Sequence, residues 1–181
     1  MEKKDLKPAG VFKYFEEICQ VPRPSKKEEK MIAYLKAFGA KHNLETKVDE
    51  AGNVLIKKPA TPGKENLQTV VLQSHIDMVC EKNNDVQHDF LTDPIETEID
   101  GEWLKAKGTT LGADNGIGVA TELAILADDS IEHGPLECLF TVDEETGLTG
   151  AFALKEGFMS GDILLNLDSE AVSYTHLTLP T

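Results

Sequence analysis

Four apolar runs in this chain each lead into a segment bearing His or acidic residues, and that recurrence limits what the chain can fold into. The segments are Ser74-His75-Ile76-Asp77, Gly112-Ala113-Asp114-Asn115, Asp143-Glu144-Glu145 and Asn166-Leu167-Asp168. A carboxylate beside a core is costly unless it is paired or holds a cation. Together the four supply one imidazole and several carboxylates, a mixture of nitrogen and oxygen donors that zinc accepts. The pattern predicts the inner shell of a site for more than one metal ion.

The runs themselves read as α/β. Residues 69–74 are short and β-rich, as in a central strand buried on both faces. His75 and Asp77 follow at its carboxyl end, two residues apart and so on one side of an extended backbone. Residues 136–142 form a strand ending at Asp143-Glu144-Glu145, and residues 163–167 a strand ending at Asp168. Residues 8–20 place Phe12, Phe15, Ile18 and Cys19 at helical spacing. After Pro22-Arg23-Pro24, Ser25 with Glu28 three residues on gives a capping-box signature for a second helix carrying Ile32, Leu35 and Phe38 on one face. Gly52-Asn53 separates strands at 45–49 and 53–57 in a hairpin, and Asp100-Gly101 signals a type I′ hairpin within 95–106. An Ala-rich helix over 116–127 is built on Ile117, Ala120, Leu123, Ala124 and Ala127, and another helix begins over 150–155. Strands alternating with helices predict a mostly parallel central sheet flanked by helices. In such sheets ligands bind outside the carboxyl ends of the strands, where the acidic segments fall. Gly108, Gly112, Gly116 and Gly118 surround Asp114 and admit the close backbone approach that a metal or substrate carboxylate needs. Neither GxxxxGK[ST] nor GxGxxG is present, which weakens a phosphate-loop reading.

With 181 residues the chain has room for one domain with its own core. An apolar fraction of 40% argues against disorder, and a formal net charge of -14 argues against a nucleic-acid or anionic-membrane partner. No apolar run reaches the length of a membrane span. The charged N-terminus leads into no apolar h-region, so no secretory leader is expected. Cys19, Cys80 and Cys138 are odd in number and far apart, as for reduced thiols of a cytoplasmic protein. Cys80 has no neighbouring base and reads as a structural thiol.

Taken singly, each segment also has a plain structural reading. His75 fits a satisfied polar residue, Asp114 an N-cap, Asp143-Glu144-Glu145 before Gly147 a solvated turn, and Asp168 a helix cap. A shared site is favoured because all of them fall at one edge of one sheet. Metal-assisted amide hydrolysis needs ligands, a bridging carboxylate, and a non-ligand carboxylate that takes a proton from a metal-bound water whose pKa is lowered toward about 7. His75 suits one ion, and Asp77 suits either orienting its ring or binding directly. Asp114 suits bridging, and Asp168 suits completing one ion's shell. Glu144 and Glu145 are adjacent, so their side chains diverge, one toward metal and the other toward water.

Longer matches carry a family resemblance. They are Ser74-His75-Ile76-Asp77-Met78-Val79-Cys80-Glu81-Lys82, Gly108-Thr109-Thr110-Leu111-Gly112-Ala113-Asp114-Asn115-Gly116-Ile117-Gly118, His133-Gly134-Pro135-Leu136-Glu137, Phe140-Thr141-Val142-Asp143-Glu144-Glu145-Thr146-Gly147 and Leu165-Asn166-Leu167-Asp168-Ser169-Glu170. On these the chain resembles the cytosolic aminoacyl-histidine dipeptidases, also called peptidase D or cytosolic non-specific dipeptidases, of the co-catalytic dizinc exopeptidase group. The resemblance implies that His75 and Asp168 bind one zinc and that Asp114 bridges to a second held by Glu145. It implies Glu144 as general base and Asp77 as the residue orienting His75. It implies unblocked dipeptide substrates, including those ending in histidine such as β-alanyl-histidine, and a cytoplasmic location. Two divalent ions are implied, zinc first, with manganese or cobalt as alternatives because carboxylate-rich sites are permissive. A homodimer of the full-length protein is compatible with it.

The chain departs from that family in two ways. The family's enzymes are longer, with a lid-like second domain and a C-terminal return that supplies a last His ligand. Residues 171–181 match nothing in the family pattern, and His176 is not at the position of that ligand. The expectation is an N-terminal portion of a metallopeptidase catalytic domain over 1–170, followed by an atypical tail over 171–181. A truncated or mis-joined product of this kind would have one ion's shell incomplete and be inactive alone. A related deacylase or carboxypeptidase of the same group, and a non-catalytic metal-binding fragment, stay open as readings.

Overall fold

The computed structural model describes residues 2–168, so the 171–181 tail and His176 lie outside the described residues. After a 3-10 turn (Lys3–Asp5) come helices α1 (Ala9–Cys19) and α2 (Glu29–Lys41) and strands β1 (Glu45–Val48), β2 (Val54–Lys58) and β3 (Val70–His75). The hairpin strands β4 (Thr97–Asp100) and β5 (Trp103–Ala106) follow, then α3 (Ala113–Ala127), β6 (Leu136–Thr141), α4 (Thr149–Ala153) and β7 (Ile163–Asn166).

Five strands form one sheet in the order β1-β2-β6-β3-β7, and β4 and β5 form a separate ribbon. The sheet is mixed. β3 runs parallel to β6 and to β7, whereas β1–β2 and β2–β6 are antiparallel. The mostly parallel sheet expected from the alternation of elements therefore holds for the β6-β3-β7 half alone. A short connection forces β1 and β2 to run antiparallel, and β2 carries that sense onto β6. At this turn Asp49 Oδ1 accepts the N–H groups of Ala51, Gly52 and Asn53. In the β4–β5 ribbon Asp100 pairs with Trp103, which centres the turn on Gly101-Glu102, and only Gly101 has a positive φ. That is the pattern of a II′ turn; I′ requires positive φ at both central residues. Trp103 on this ribbon is 72% exposed.

The main core lies between one sheet face and α1, α2 and α3, and includes Phe15, Ile18, Met31, Leu35, Leu123 and Phe140. Each such side chain contributes about 1.5–3 kcal/mol by leaving water. Alternation along β2 sends Val54 and Ile56 into this layer and Leu55 to the opposite face. There Leu55, Val71 and Leu139 are covered by Leu154, Phe158 and Met159. α3 packs against both α1 and β3. Its buried side includes Val119, Ala120, Leu123 and Leu126, while Ile117 is exposed.

The expected capping box does not form. Glu28 stands at the N-cap of α2 but makes no side-chain cap bond, and both Ser25 and Glu28 reach toward the strand ends instead. Strand register sets what meets there. His75 pairs with Thr141, and Gln73 pairs with Asn166. Continuing two residues along each pair of strands brings Asp77 level with Asp143, and His75 level with Asp168. Among the described residues no helix is long and apolar enough to cross a membrane.

Candidate metal centre

His75 is the last residue of β3 and is buried. Its Nδ1 faces Asp77 Oδ1 at 3.3 Å. Its Nε2 faces Asp114 Oδ1 at 3.2 Å, and Glu144 Oε2 and Asp168 Oδ2 at 3.8 Å each. His75, Asp114 and Glu145 offer donor atoms within 4.8 Å of one another, and so do His75, Glu144 and Asp168. Side chains from a strand end, a helix start and two further strand ends thus meet around one imidazole. Glu144, placed at the sequence level beside the water, is the glutamate that groups with Asp168.

Asp77 is fully buried, and its carboxylate is well supplied with donors. Oδ1 accepts the Glu144 N–H at 3.0 Å, and Oδ2 accepts the Glu145 N–H at 3.2 Å and the Ser25 hydroxyl at 2.7 Å. Burial pushes the carboxyl up, but His75, the two N–H groups and Ser25 outweigh it and hold it at about 2. For His75 burial works the other way and lowers the imidazole, yet Asp77, Asp168 and Glu144 together raise it to about 9. Glu144 and Glu145 are both raised, first by burial and then by neighbouring carboxylates, with His75 opposing.

Two buried residues, one without a local assignment and one read as part of a capping box, complete the frame. Arg23, read only as part of a proline-flanked loop, is 2% exposed. Its Nη1 donates to the carbonyls of Ile76 and Asp77, both at 3.2 Å, and its Nη2 donates to the Gly112 carbonyl at 2.6 Å. It ties the end of β3 to the loop that delivers Asp114. A Cβ at Gly112 would lie 2.5 Å from Arg23 Nη2, and one at Gly116 would lie 2.7 Å from it. At these two positions the glycines make room for the guanidinium rather than for a metal or substrate carboxylate. The second residue is Glu28, whose Oε1 accepts the N–H groups of Lys26 and Asp143, both at 3.0 Å. Cys80 makes no disulfide, and burial raises its thiol, the opposite of what a nucleophile needs.

The donor set suits cations. Five carboxylates, those of Asp77, Asp114, Glu144, Glu145 and Asp168, surround one imidazole. Among the described residues no lysine or arginine forms an ion pair with any of them. Such concentrated negative charge calls for divalent ions and rejects anions.

The chain belongs to Peptidase family M20/M25/M40, whose profile matches residues 71–180. Metal dependence is general in this family. Over 169 residues, 93% of its length, the chain is 52% identical to the cytosol non-specific dipeptidase of Escherichia coli strain K12, and it covers 35% of that protein. The crystal structure of aminoacylhistidine dipeptidase from Vibrio alginolyticus matches with a TM-score of 0.91 and 56% identity, over 94% of this chain and 35% of that one. The structure of aminopeptidase PepT from Bacillus cereus matches with a TM-score of 0.76 and 26% identity, over 90% of this chain and 43% of that one.

Proposed function

We propose that this chain carries the metal centre of a cytoplasmic dipeptidase that hydrolyses unblocked dipeptides, including those ending in histidine. The observation that carries this reading is His75 standing among carboxylates from four chain segments, in a sequence 52% identical to a dipeptidase. Residues 1–170 are then the N-terminal portion of the catalytic domain. His75 and Asp168 would hold one divalent ion, Asp114 would bridge, and Glu145 would hold the second, with zinc as first choice. When bound, the ions supply an acidified water and a polarised carbonyl. Glu144 takes the proton of the attacking water on its carboxylate and returns it to the leaving amine nitrogen. Burial raises Glu144, His75 opposes it and the charges of Asp168, Asp77 and Asp114 add to it, which suits a group that must both accept and release a proton. Asp77 holds the His75 ring from its Nδ1 side.

The test is Glu144→Gln, assayed with β-alanyl-histidine and by zinc titration calorimetry. Hydrolysis should fall about 10²–10⁴-fold while zinc affinity is kept. Loss of both would move Glu144 into the ligand set beside Asp168, and unchanged hydrolysis would remove it from the chemistry. A wild-type chain that binds zinc without hydrolysing any dipeptide would instead be a metal-binding segment.

A further inference from the structure

We propose that Glu28 is a positioning residue of this centre, acting with Asp77 to fix where the Glu144 and Glu145 carboxylates stand. The inference rests on the metal-centre reading above and concerns a residue outside the ligand set.

The three consecutive N–H groups of Asp143, Glu144 and Glu145 are all accepted by buried carboxylates. Glu28 Oε1 takes the first, Asp77 Oδ1 the second and Asp77 Oδ2 the third. The turn that carries the two glutamates is therefore suspended from a pair of acids lying beneath it. Glu28, Asp77 and Asp143 are each at most 6% exposed, and their carboxylate oxygens lie within 4.8 Å of one another. Three acids so close repel one another, and a helix N-cap alone gives no reason to bury one of them there. The Glu28 side chain leaves its own helix uncapped in order to make these bonds.

Backbone conformation adds a second observation. Among the described residues four that are not glycine have positive φ, and two of them are Lys26 at 65° and Asp143 at 49°. Both donate their N–H to the same oxygen of Glu28. A left-handed conformation away from glycine is strained and persists where its surroundings over-determine it. At Asp143 the surroundings are Glu28 on the N–H, Thr149 N–H on the carbonyl at 3.0 Å and the Thr146 hydroxyl on Oδ1 at 2.6 Å. Without Glu28 the first restraint is gone, and the residue next in sequence is Glu144.

The experiment pairs two substitutions of opposite character and titrates zinc into the folded, metal-free chain by calorimetry. Glu28→Gln keeps an acceptor oxygen at the same reach and gives up the charge. Glu28→Asp keeps the charge and withdraws the oxygen by one carbon. Positioning through the hydrogen bond predicts zinc affinity within about threefold of wild type for Glu28→Gln. It predicts a loss of about 10–100-fold, typical of residues supporting metal ligands, for Glu28→Asp. A stability role unconnected with the centre predicts lowered melting temperatures with zinc affinity unchanged in both, and that result overturns the proposal. If Glu28→Asp does not fold, a tenfold loss in Glu28→Gln overturns it alone. If the wild-type chain takes up no zinc, the metal-centre reading falls, and the positioning role falls with it.

Discussion

Asp77 and Glu122 are each 0% exposed, one just past the end of β3 and the other on the side of α3 that faces β3 and β6. Asp77 is met by two backbone N–H groups and a hydroxyl, with His75 alongside, and its carboxyl is held at about 2. Glu122 lies beside the Ser74 hydroxyl and the Cys138 thiol, yet neither of its oxygens makes a well-formed hydrogen bond, and the Ser74 Oγ and Asn115 Oδ1 nearby are also without partners. Burial drives Glu122 well above the usual glutamate range, and its two neighbours offset that only in part. Equal depth therefore moves one carboxyl down and the other up. The difference lies in aligned donors, which the turn after β6 supplies and the helix–sheet interface does not.

The largest effect should come from Asp77→Ala. It leaves His75 Nδ1 without its carboxylate partner and three donors without an acceptor, at a cost of about 3–5 kcal/mol. Urea denaturation of the metal-free chain followed by circular dichroism measures it, and a loss below about 1 kcal/mol would break the contrast with Glu122. Glu122→Gln should act in the opposite direction. Because the folded state holds this proton more tightly than the unfolded state, the contribution of Glu122 is full below the ordinary glutamate pKa of about 4.3 and is lost as pH rises toward the folded value. The variant should therefore gain on wild type progressively as pH rises above about 4.3. A pH-independent difference would show that Glu122 is ionised in its pocket.

The smallest effect sharpens the rule at a third buried acid. Glu137 is 2% exposed and accepts from Lys57 Nζ at 2.5 Å and from the Ser160 N–H and hydroxyl at 2.8 and 2.6 Å. Burial raises it, but Lys57 and Ser160 outweigh that and hold it below the usual range. Its stabilisation is present above about pH 4.3 and fades as pH falls through the lower folded-state value. Lys57→Ala should cost about 1 kcal/mol at pH 7, because Ser160 keeps two of the three bonds, and less at pH 3. Equal costs at the two pH values would place Glu137 with Glu122 instead of with Asp77.

That the His75-Asp77, Asp114, Glu144-Glu145 and Asp168 segments meet at one sheet edge was legible in the sequence because each reads as the end of an apolar run, and a run and its end are local. Ser25 and Glu28 show what local reading misses. Their spacing is that of a capping box, but the partners that claim them are Asp77 and Asp143, 52 and 115 residues away. Arg23 carries no periodic signal, and its three acceptors become neighbours only once β3 and the Gly112 loop are side by side. The antiparallel half of the sheet escaped for the same reason. A hairpin signal specifies that β1 and β2 pair, and nothing within it specifies that β2 will lie against β6. On α3, Asn115 and Glu122 stand seven residues apart and share the buried side, where an Ala-rich pattern alone implies an apolar surface.

Trp103, the single tryptophan, is also an optical fact. It sits in water on the β4–β5 ribbon, apart from the five-stranded sheet, so its indole emission should look much the same whether or not ions occupy the rim of β3. The chromophores that follow the interior are tyrosines. Tyr14 stands edge-on to Phe38 with ring centroids 5.6 Å apart, and the Tyr34 hydroxyl donates to Glu17 at 2.9 Å. Both belong to the helical layer of the main core. A spectroscopist following tryptophan would be watching the hairpin, and one following tyrosine would be watching the fold.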